Sequence, residues 1–265
     1  MTLNPSDAPA GPSAAAGAAR PYGPFGLLVS TVVILVMAGV ALLALASLAF
    51  GLAAAVDGWA GALRLVAKAK DVLSASDDAA DRINIVAGGI AYVVTALCVL
   101  AAARFRGGAG WADLIGWRPW DMRRHARLLA LILVATLCWS FVASTAIEQV
   151  YPQAKDWVSA PTGTIWIIGF LALATLFAPI TEELLFRGWI YTSLRRTIGA
   201  RWGILVSALL FALAHWESTH LYALAVFPVG LALGYIRERA NSVAASITFH
   251  ALYNGVASVL LFVAK

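Results

Sequence analysis

Seven apolar stretches separated by short polar segments make up most of this 265-residue sequence and limit what it can fold into. A helix that crosses a bilayer needs about 20 consecutive apolar residues, and most of these stretches reach or approach that length. We therefore predict an all-α fold: a polytopic transmembrane helical bundle of about seven to eight spans. The stretches cover residues 26–50, 84–103, 128–147, 164–186, 202–216, 220–236 and 242–263.

The composition supports a membrane protein and excludes other classes. The chain is 61% hydrophobic and only 12% charged, whereas a typical soluble domain has about 25% charged residues. The net charge of +5 comes mainly from arginines in the short loops. There they indicate membrane topology, and we expect no nucleic-acid partner. Cys98 and Cys138 both lie in apolar stretches and are expected to be small packing residues.

The sequence divides into three regions. Residues 1–24 are rich in Pro, Ala, Gly and Ser, which predicts a disordered N-terminal tail. Residues 25–163 are expected to form N-terminal spans with interfacial segments, and residues 164–263 a core that carries the buried ionisable groups. The fourth stretch can continue to residue 197, and Pro179 predicts a kink in it. Segment 57–83 contains "GWAGALRLVAKAKDVL", which predicts an interfacial amphipathic helix, or an extra span if it re-enters the membrane.

Arginine-rich loops indicate the orientation of the spans. Segments 104–127 and 187–201, and the end of the sixth stretch, carry most of the arginines. These segments share one side of the membrane if seven spans alternate. The positive-inside rule makes that side cytoplasmic, which puts the N-terminus in the cytoplasm and the C-terminus outside.

Polar side chains inside the later stretches form three clusters at one depth. Arg195, Arg201 and Arg239 are taken as the cytoplasmic boundary of their spans. At about 1.5 Å per residue, Glu182, His215 and His250 lie roughly 20, 21 and 16 Å from these arginines, respectively. A hydrocarbon core about 30 Å thick puts all three near its middle. Because ionisable groups there are costly, the alignment predicts a functional site in a polar cavity, open to the cytoplasm and walled by the fourth, fifth and seventh spans. The clusters are "EELLFR" (182–187), "FALAH" (211–215) and "HALYN" (250–254).

Spacing within each cluster suggests how the side chains divide their roles. Glu183 and Arg187 are four residues apart, so they share a helix face and can pair, which offsets the cost of burying each alone. Glu182 is rotated about 100° from its neighbour and lacks that partner, which leaves it free to act as a general base. His250 and Asn254 are also four apart and can direct two polar groups at one point.

Each cluster by itself also has a structural explanation. The Glu183–Arg187 pair could hold helices together, and Asn254 could form an interhelical hydrogen bond. Phe211 shares a face with His215, so its ring can pack beside the imidazole, and it is expected to be a core residue. The occurrence of all three clusters on separate spans favours a functional site over three separate structural roles.

The three motifs resemble those of the CPBP family, also called Abi, which comprises the type II CAAX prenyl endopeptidases and bacteriocin-processing proteins. The family pattern is EExxxR, then FxxxH, then HxxxN, and this sequence matches it in that order, with Gly188 matching the glycine that follows the first motif. The resemblance covers about residues 164–260. Seven spans instead of the eight usual for prenyl-protein members is the one departure.

The resemblance implies an intramembrane glutamic endopeptidase that requires no metal. Glu182 would activate water with the help of His215, while His250 and Asn254 would form the oxyanion hole. Glu183 and Arg187 would hold the local geometry. The substrate would be a peptide or protein, prenylated or not, processed at a C-terminal CAAX-type sequence or matured from a leader. The expected location is the inner (cytoplasmic) membrane of a bacterium, in contact with its lipid bilayer.

Three other functions remain open at this point. Glu182, His215 and His250 form a chemically sensible zinc ligand set, so a membrane metallopeptidase is the first alternative. A proton-coupled transporter is the second, because chains of Glu and His relay protons in membranes. Transporters often contain inverted repeats, and none is visible in this sequence. The third alternative is a scaffold without catalytic activity.

Overall fold

Helices make up the regular structure of the described part of the chain. The computed structural model describes residues 22–74, 78–152, 161–216 and 221–263, and within these ranges no strand is present. The predicted all-α class is confirmed. The main helices, α1 to α7, are Pro24–Ser74, Asp78–Gly107, Met122–Val150, Thr164–Ile198, Ala200–Ala214, Leu221–Ala240 and Val243–Val263.

Each predicted span corresponds to one of these helices. Six of the described helices are long and apolar enough to cross a membrane, and α5 is a shorter apolar helix of 15 residues. The count is consistent with the predicted seven to eight spans. The predicted tail, residues 1–24, lies outside the described residues up to residue 21, and α1 begins at Pro24.

Helix α1 is interrupted at Gly58. This residue has φ 69° and ψ 179°, a conformation that glycine adopts readily because it has no Cβ. The chain then resumes a helical path as far as Ser74. The helix predicted within segment 57–83 is therefore present, while its position at the membrane interface stays a prediction.

Helix α4 carries three of the site residues, Glu182, Glu183 and Arg187, and contains two π-helical stretches. Leu173–Phe177 and Leu184–Ile190 are π-helical, with α-helical turns between and after them. Pro179, for which the sequence predicts a kink, lies between the two π-helical stretches. Proline has no backbone N–H, so it supplies no donor to the carbonyl four or five residues earlier. Irregular winding of this kind is frequent at functional sites.

Small residues let the helices around α4 approach closely. A Cβ added to Gly230 in α6 would lie 3.2 Å from three atoms of Ala208 in α5. A Cβ added to Gly169 in α4 itself would lie 3.1 Å from Ile85 in α2. Such contacts favour helix association in membranes, where burial of apolar surface gives little driving force.

Polar contacts join the helix ends on the arginine-rich side. Arg195 of α4 forms an ion pair with Glu238 of α6, with Nε 2.6 Å from Oε2. The loop that follows α2 reaches the start of α7, where the backbone N–H of Val243 donates to the carbonyl of Gly116 at 2.9 Å. These contacts connect α2, α4, α6 and α7, the helices that supply most of the candidate site.

Candidate active site

Glu183 and Arg187 form a fully buried ion pair in α4. Nη1 of Arg187 lies 3.0 Å from Oε1 of Glu183, and both side chains are 0% exposed. Their spacing of four residues places them on one helix face, so the predicted pairing is present. Arg187 also donates through Nη2 to the backbone carbonyl of Gly230 in α6, at 2.9 Å. The pair therefore ties α4 to α6 while each charge offsets the burial of the other.

His250 of α7 lies between the two neighbouring glutamates. Its Nδ1 is 3.0 Å from Oε1 of Glu183, and its Nε2 is 3.8 Å from Oε2 of Glu182. An ionised carboxylate only accepts hydrogen bonds, so Nδ1 carries a hydrogen when it bonds to Glu183. In the neutral ring, Nε2 is then the atom without a hydrogen, and it is the atom on the Glu182 side.

Glu182 has a different environment from Glu183. Its side chain is 13% exposed, and it lines a pocket of about 290 Å³ between α2 and α4. Tyr92 of α2 donates its hydroxyl hydrogen to Oε1 of Glu182 at 2.9 Å. Of two adjacent carboxylates, one is thus sealed in an ion pair and the other faces a cavity. The pocket is lined by Gly88, Ala91, Tyr92, Thr95, Thr181, Glu182 and Leu185.

Phe211 packs between the two histidines. Its ring centroid is 4.6 Å from that of His215 and 5.9 Å from that of His250, and the Cζ atom of Arg187 lies 4.4 Å from the same ring. The ring is buried, as expected for a core residue. Phe211 therefore connects the end of α5 to the polar groups of α4 and α7.

His215 terminates α5 and reaches this cluster through Phe211. Its Nδ1 lies 2.8 Å from the backbone carbonyl of Phe211. A carbonyl oxygen only accepts, so Nδ1 must carry the hydrogen, and Nε2 of the neutral ring is left as a proton acceptor. This tautomer is the one that a histidine needs in order to assist a base through Nε2.

Asn254 lies one helical turn beyond His250 and binds the backbone of α4. Its Nδ2 donates to the carbonyl of Ala174 at 2.8 Å. In an i to i+5 pattern, the donor for that carbonyl would be the N–H of residue 179, which is a proline and has none. Asn254 supplies the missing donor, so the interhelical hydrogen bond considered from the sequence is present. The amide nitrogen has a second hydrogen, which this bond does not use.

The structure brings together most of the residues that the sequence selects. His250 lies against Glu182, Glu183 and Phe211. Arg187 joins this group through Glu183, and His215 joins it through Phe211. Asn254 is bound to Ala174.

The wall of the cavity differs from the expectation. The pocket at Glu182 is formed by α2 and α4, whereas the sequence favoured the fourth, fifth and seventh spans. Tyr92 is a site residue that was not predicted from the sequence. It lies 12 residues before Arg104, which is about 18 Å along a helix and hence at the same depth as the other groups. Applying the depth argument to hydroxyl groups would have found it.

The zinc alternative needs three ligands that converge on one point. Within the described ranges, no group of three His, Cys, Asp or Glu side chains is arranged to hold a metal ion. His250 has its two ring nitrogens on the sides of Glu183 and Glu182, and His215 uses Nδ1 for a backbone carbonyl. This donor set does not fit the tetrahedral site that zinc prefers.

The fold and the site together define a polytopic helical protein with a buried Glu–Arg–His cluster beside a second glutamate that faces a pocket. Residues 164–256, from the start of α4 into α7, match the family model described as Rce1-like: Type II CAAX prenyl endopeptidase Rce1-like. All three motifs fall within the match, and the resemblance to the CPBP family is confirmed. No curated protein and no solved structure matched the chain.

The family match supports a coarse statement of activity and location. It implies a membrane protease of the CAAX endopeptidase type, which is a peptide hydrolase with a peptide or protein substrate. The long apolar helices fit an integral membrane protein.

Proposed function

We propose that this protein is a membrane endopeptidase that hydrolyses a peptide bond with water activated by Glu182. The observation that carries the proposal is the unequal environment of two adjacent glutamates. Glu183 is closed into an ion pair with Arg187, whereas Glu182 faces a pocket and has Oε2 beyond hydrogen-bond distance of His250. A general base must be able to reach its water, and of the two glutamates only Glu182 meets that condition.

The proposed reaction uses this carboxylate twice. Glu182 takes a proton from a water molecule as the water oxygen attacks the carbonyl carbon of the scissile amide. When the C–N bond of the tetrahedral intermediate breaks, Glu182 returns the proton to the leaving amine. The products are a carboxylic acid and an amine, and the base regains its ionised form. Glu183 and Arg187 take no proton in this scheme and hold α4 and His250 in position.

His250 and Asn254 are proposed to stabilise the oxyanion of the intermediate. His250 can donate from Nε2 only if its ring carries both hydrogens, because Nδ1–H is committed to Glu183. Asn254 can donate its second amide hydrogen while the first stays on Ala174. Donors of this kind gain strength where water is largely excluded. His215, with Nε2 free to accept, is proposed to assist Glu182 as a second base.

The proposed substrate is a peptide or protein presented at the membrane. C-terminal CAAX-type processing of prenylated proteins is the form that the family description suggests, and maturation of unprenylated peptides or leaders is the other form. The proposed location is the inner membrane of a bacterium, with the N-terminus in the cytoplasm. No metal takes part in the proposed reaction.

Peptide cleavage by the purified full-length protein in nanodiscs tests the proposal. Farnesylated and unprenylated peptides with the same CAAX ending, together with a mixed peptide library, would be incubated and the cut sites located by mass spectrometry. We expect Glu182→Gln to lose about 100-fold or more in rate. Glu148→Gln, a change of the same kind in α3 outside the cluster, should cleave like the wild type. Undiminished cleavage by both Glu182→Ala and His215→Ala, or the absence of cleavage by the wild type, would reject the mechanism.

A further inference from the structure

A tyrosine from outside the three motifs holds one oxygen of Glu182. The hydroxyl of Tyr92 donates to Oε1 at 2.9 Å, while Oε2 is the oxygen on the His250 side, 3.8 Å from Nε2. The two carboxylate oxygens of Glu182 therefore have different partners from different helices, α2 and α7. This bond fixes which oxygen faces which partner.

Tyr92 is itself held in place by α4. The hydroxyl of Thr181 donates to the backbone carbonyl of Tyr92 at 2.9 Å, so consecutive residues of α4, Thr181 and Glu182, contact the same tyrosine. A Cβ on Gly88, one turn earlier in α2, would lie 3.6 Å from Leu173. The Thr181 bond and the close approach of α2 to α4 at Gly88 together determine where the Tyr92 hydroxyl lies.

We propose that Tyr92 is a positioning residue for Glu182, an inference that rests on the function proposed above. A free glutamate side chain can rotate about three bonds, and ordering it costs conformational entropy. The Tyr92 bond removes this freedom before substrate arrives and leaves Oε2 to act as the base. Because Tyr92 acts through Glu182, its hydroxyl contributes to the rate of the chemical step.

Helix α2 contributes to none of the three motifs. The hydrogen bond from Tyr92 to Glu182 is what brings this helix into the site.

Tyr92→Phe tests the inference, because it removes one oxygen atom and keeps the ring. The matched control is Tyr253→Phe, in which a tyrosine of α7 loses a hydroxyl bonded to Ser140 of α3 at 2.6 Å. We expect Tyr92→Phe to lower kcat by about 10- to 100-fold, the range that a misplaced catalytic group produces, with KM little changed. Tyr253→Phe should keep the wild-type kcat. A Tyr92→Phe enzyme with wild-type kcat would overturn the proposal, as would a change confined to KM.

An infrared measurement separates this inference from the proposed function. The carboxylate stretching band of Glu182 can be assigned by its loss in Glu182→Gln, and it should shift in Tyr92→Phe but not in Tyr253→Phe. This readout needs no substrate. If the band shifts but the wild type cleaves no peptide, the proposed function is wrong and the hydrogen bond between Tyr92 and Glu182 is still supported. If the wild type cleaves peptides and the band does not shift, only the inference about Tyr92 is wrong. Should Tyr92→Phe not fold, Thr181→Val, which releases the Tyr92 carbonyl, should lower kcat in the same direction, and an unchanged kcat would count against the proposal.

Discussion

Replacing Glu183 with glutamine should destabilise the protein far more than replacing Glu182 with glutamine. Both changes exchange one oxygen for an NH₂ group at adjacent positions of α4. Glu183→Gln, however, removes the negative charge from a pair in which both side chains are 0% exposed and the N–O distance is 3.0 Å. It leaves Arg187 charged, fully buried and without its counter-ion.

The expected magnitude follows from that geometry. Breaking a buried ion pair by removing one partner costs about 3–5 kcal/mol, because the remaining charge is uncompensated. This corresponds to about a 150- to 5,000-fold change in the folding equilibrium. Glu182→Gln keeps an oxygen that can accept from Tyr92, and its side chain is partly exposed to the pocket. We expect its free energy of unfolding to fall by about 1 kcal/mol or less.

Steric trapping in bicelles measures the free energy of unfolding of a membrane protein without a substrate. It would be applied to the wild type, to Glu182→Gln and to Glu183→Gln. A fourth protein, Glu183→Gln with Arg187→Met, removes the orphaned guanidinium and should recover part of the lost stability. Equal unfolding free energies for the two single variants would refute the reasoning, and so would a double variant no more stable than Glu183→Gln.

Three further results are expected. Gly230→Ala would place a Cβ 3.2 Å from Ala208 and should cost about 1–3 kcal/mol of stability by overpacking. Gly39→Ala, with nothing within 4 Å of the added Cβ, should not lower the unfolding free energy in bicelles, because alanine is the better helix former. Equal losses in the two variants would contradict this. Asn254→Leu should cost about 0.6–1.7 kcal/mol of stability for a lost interhelical hydrogen bond. Pro179→Ala restores a backbone N–H that can donate to the same Ala174 carbonyl, so the double variant should lose less stability than the sum of the two single losses. Strict additivity would argue against a shared acceptor. Peptide cleavage should persist in excess chelator, whereas activity that disappears and returns with added zinc would establish the metallopeptidase alternative.

The helices could be predicted from the sequence because apolar length is a local property. Each of the seven stretches forms one helix. The pairing of Glu183 with Arg187 in "EELLFR" could be predicted as well, since four residues make about one helical turn. The break at Gly58 was not predicted, because glycine permits this conformation without requiring it. The π-helical winding on either side of Pro179 was not predicted either, since proline removes a donor without determining how the helix adjusts.

The contacts between helices could not be predicted in the same way. The sequence placed Glu182, His215 and His250 at one depth, but the rotation of each helix about its axis depends on packing against its neighbours. That rotation decides that His250 bonds to Glu183 and only approaches Glu182. It also turns Tyr92 of α2 towards Glu182, which no spacing within a single helix indicates.

One imidazole links the two glutamates, and this limits how far their roles can be separated. His250 bonds to Oε1 of Glu183, the same atom that pairs with Arg187, and its other nitrogen faces Glu182. An amide at position 183 would offer His250 either a weaker acceptor or an N–H group directed at Nδ1, which could turn the ring or change its tautomer. Nε2 would then present a different group to Glu182. Glu183→Gln molecules that remain folded should therefore also lose activity, although Glu183 itself is buried away from the pocket.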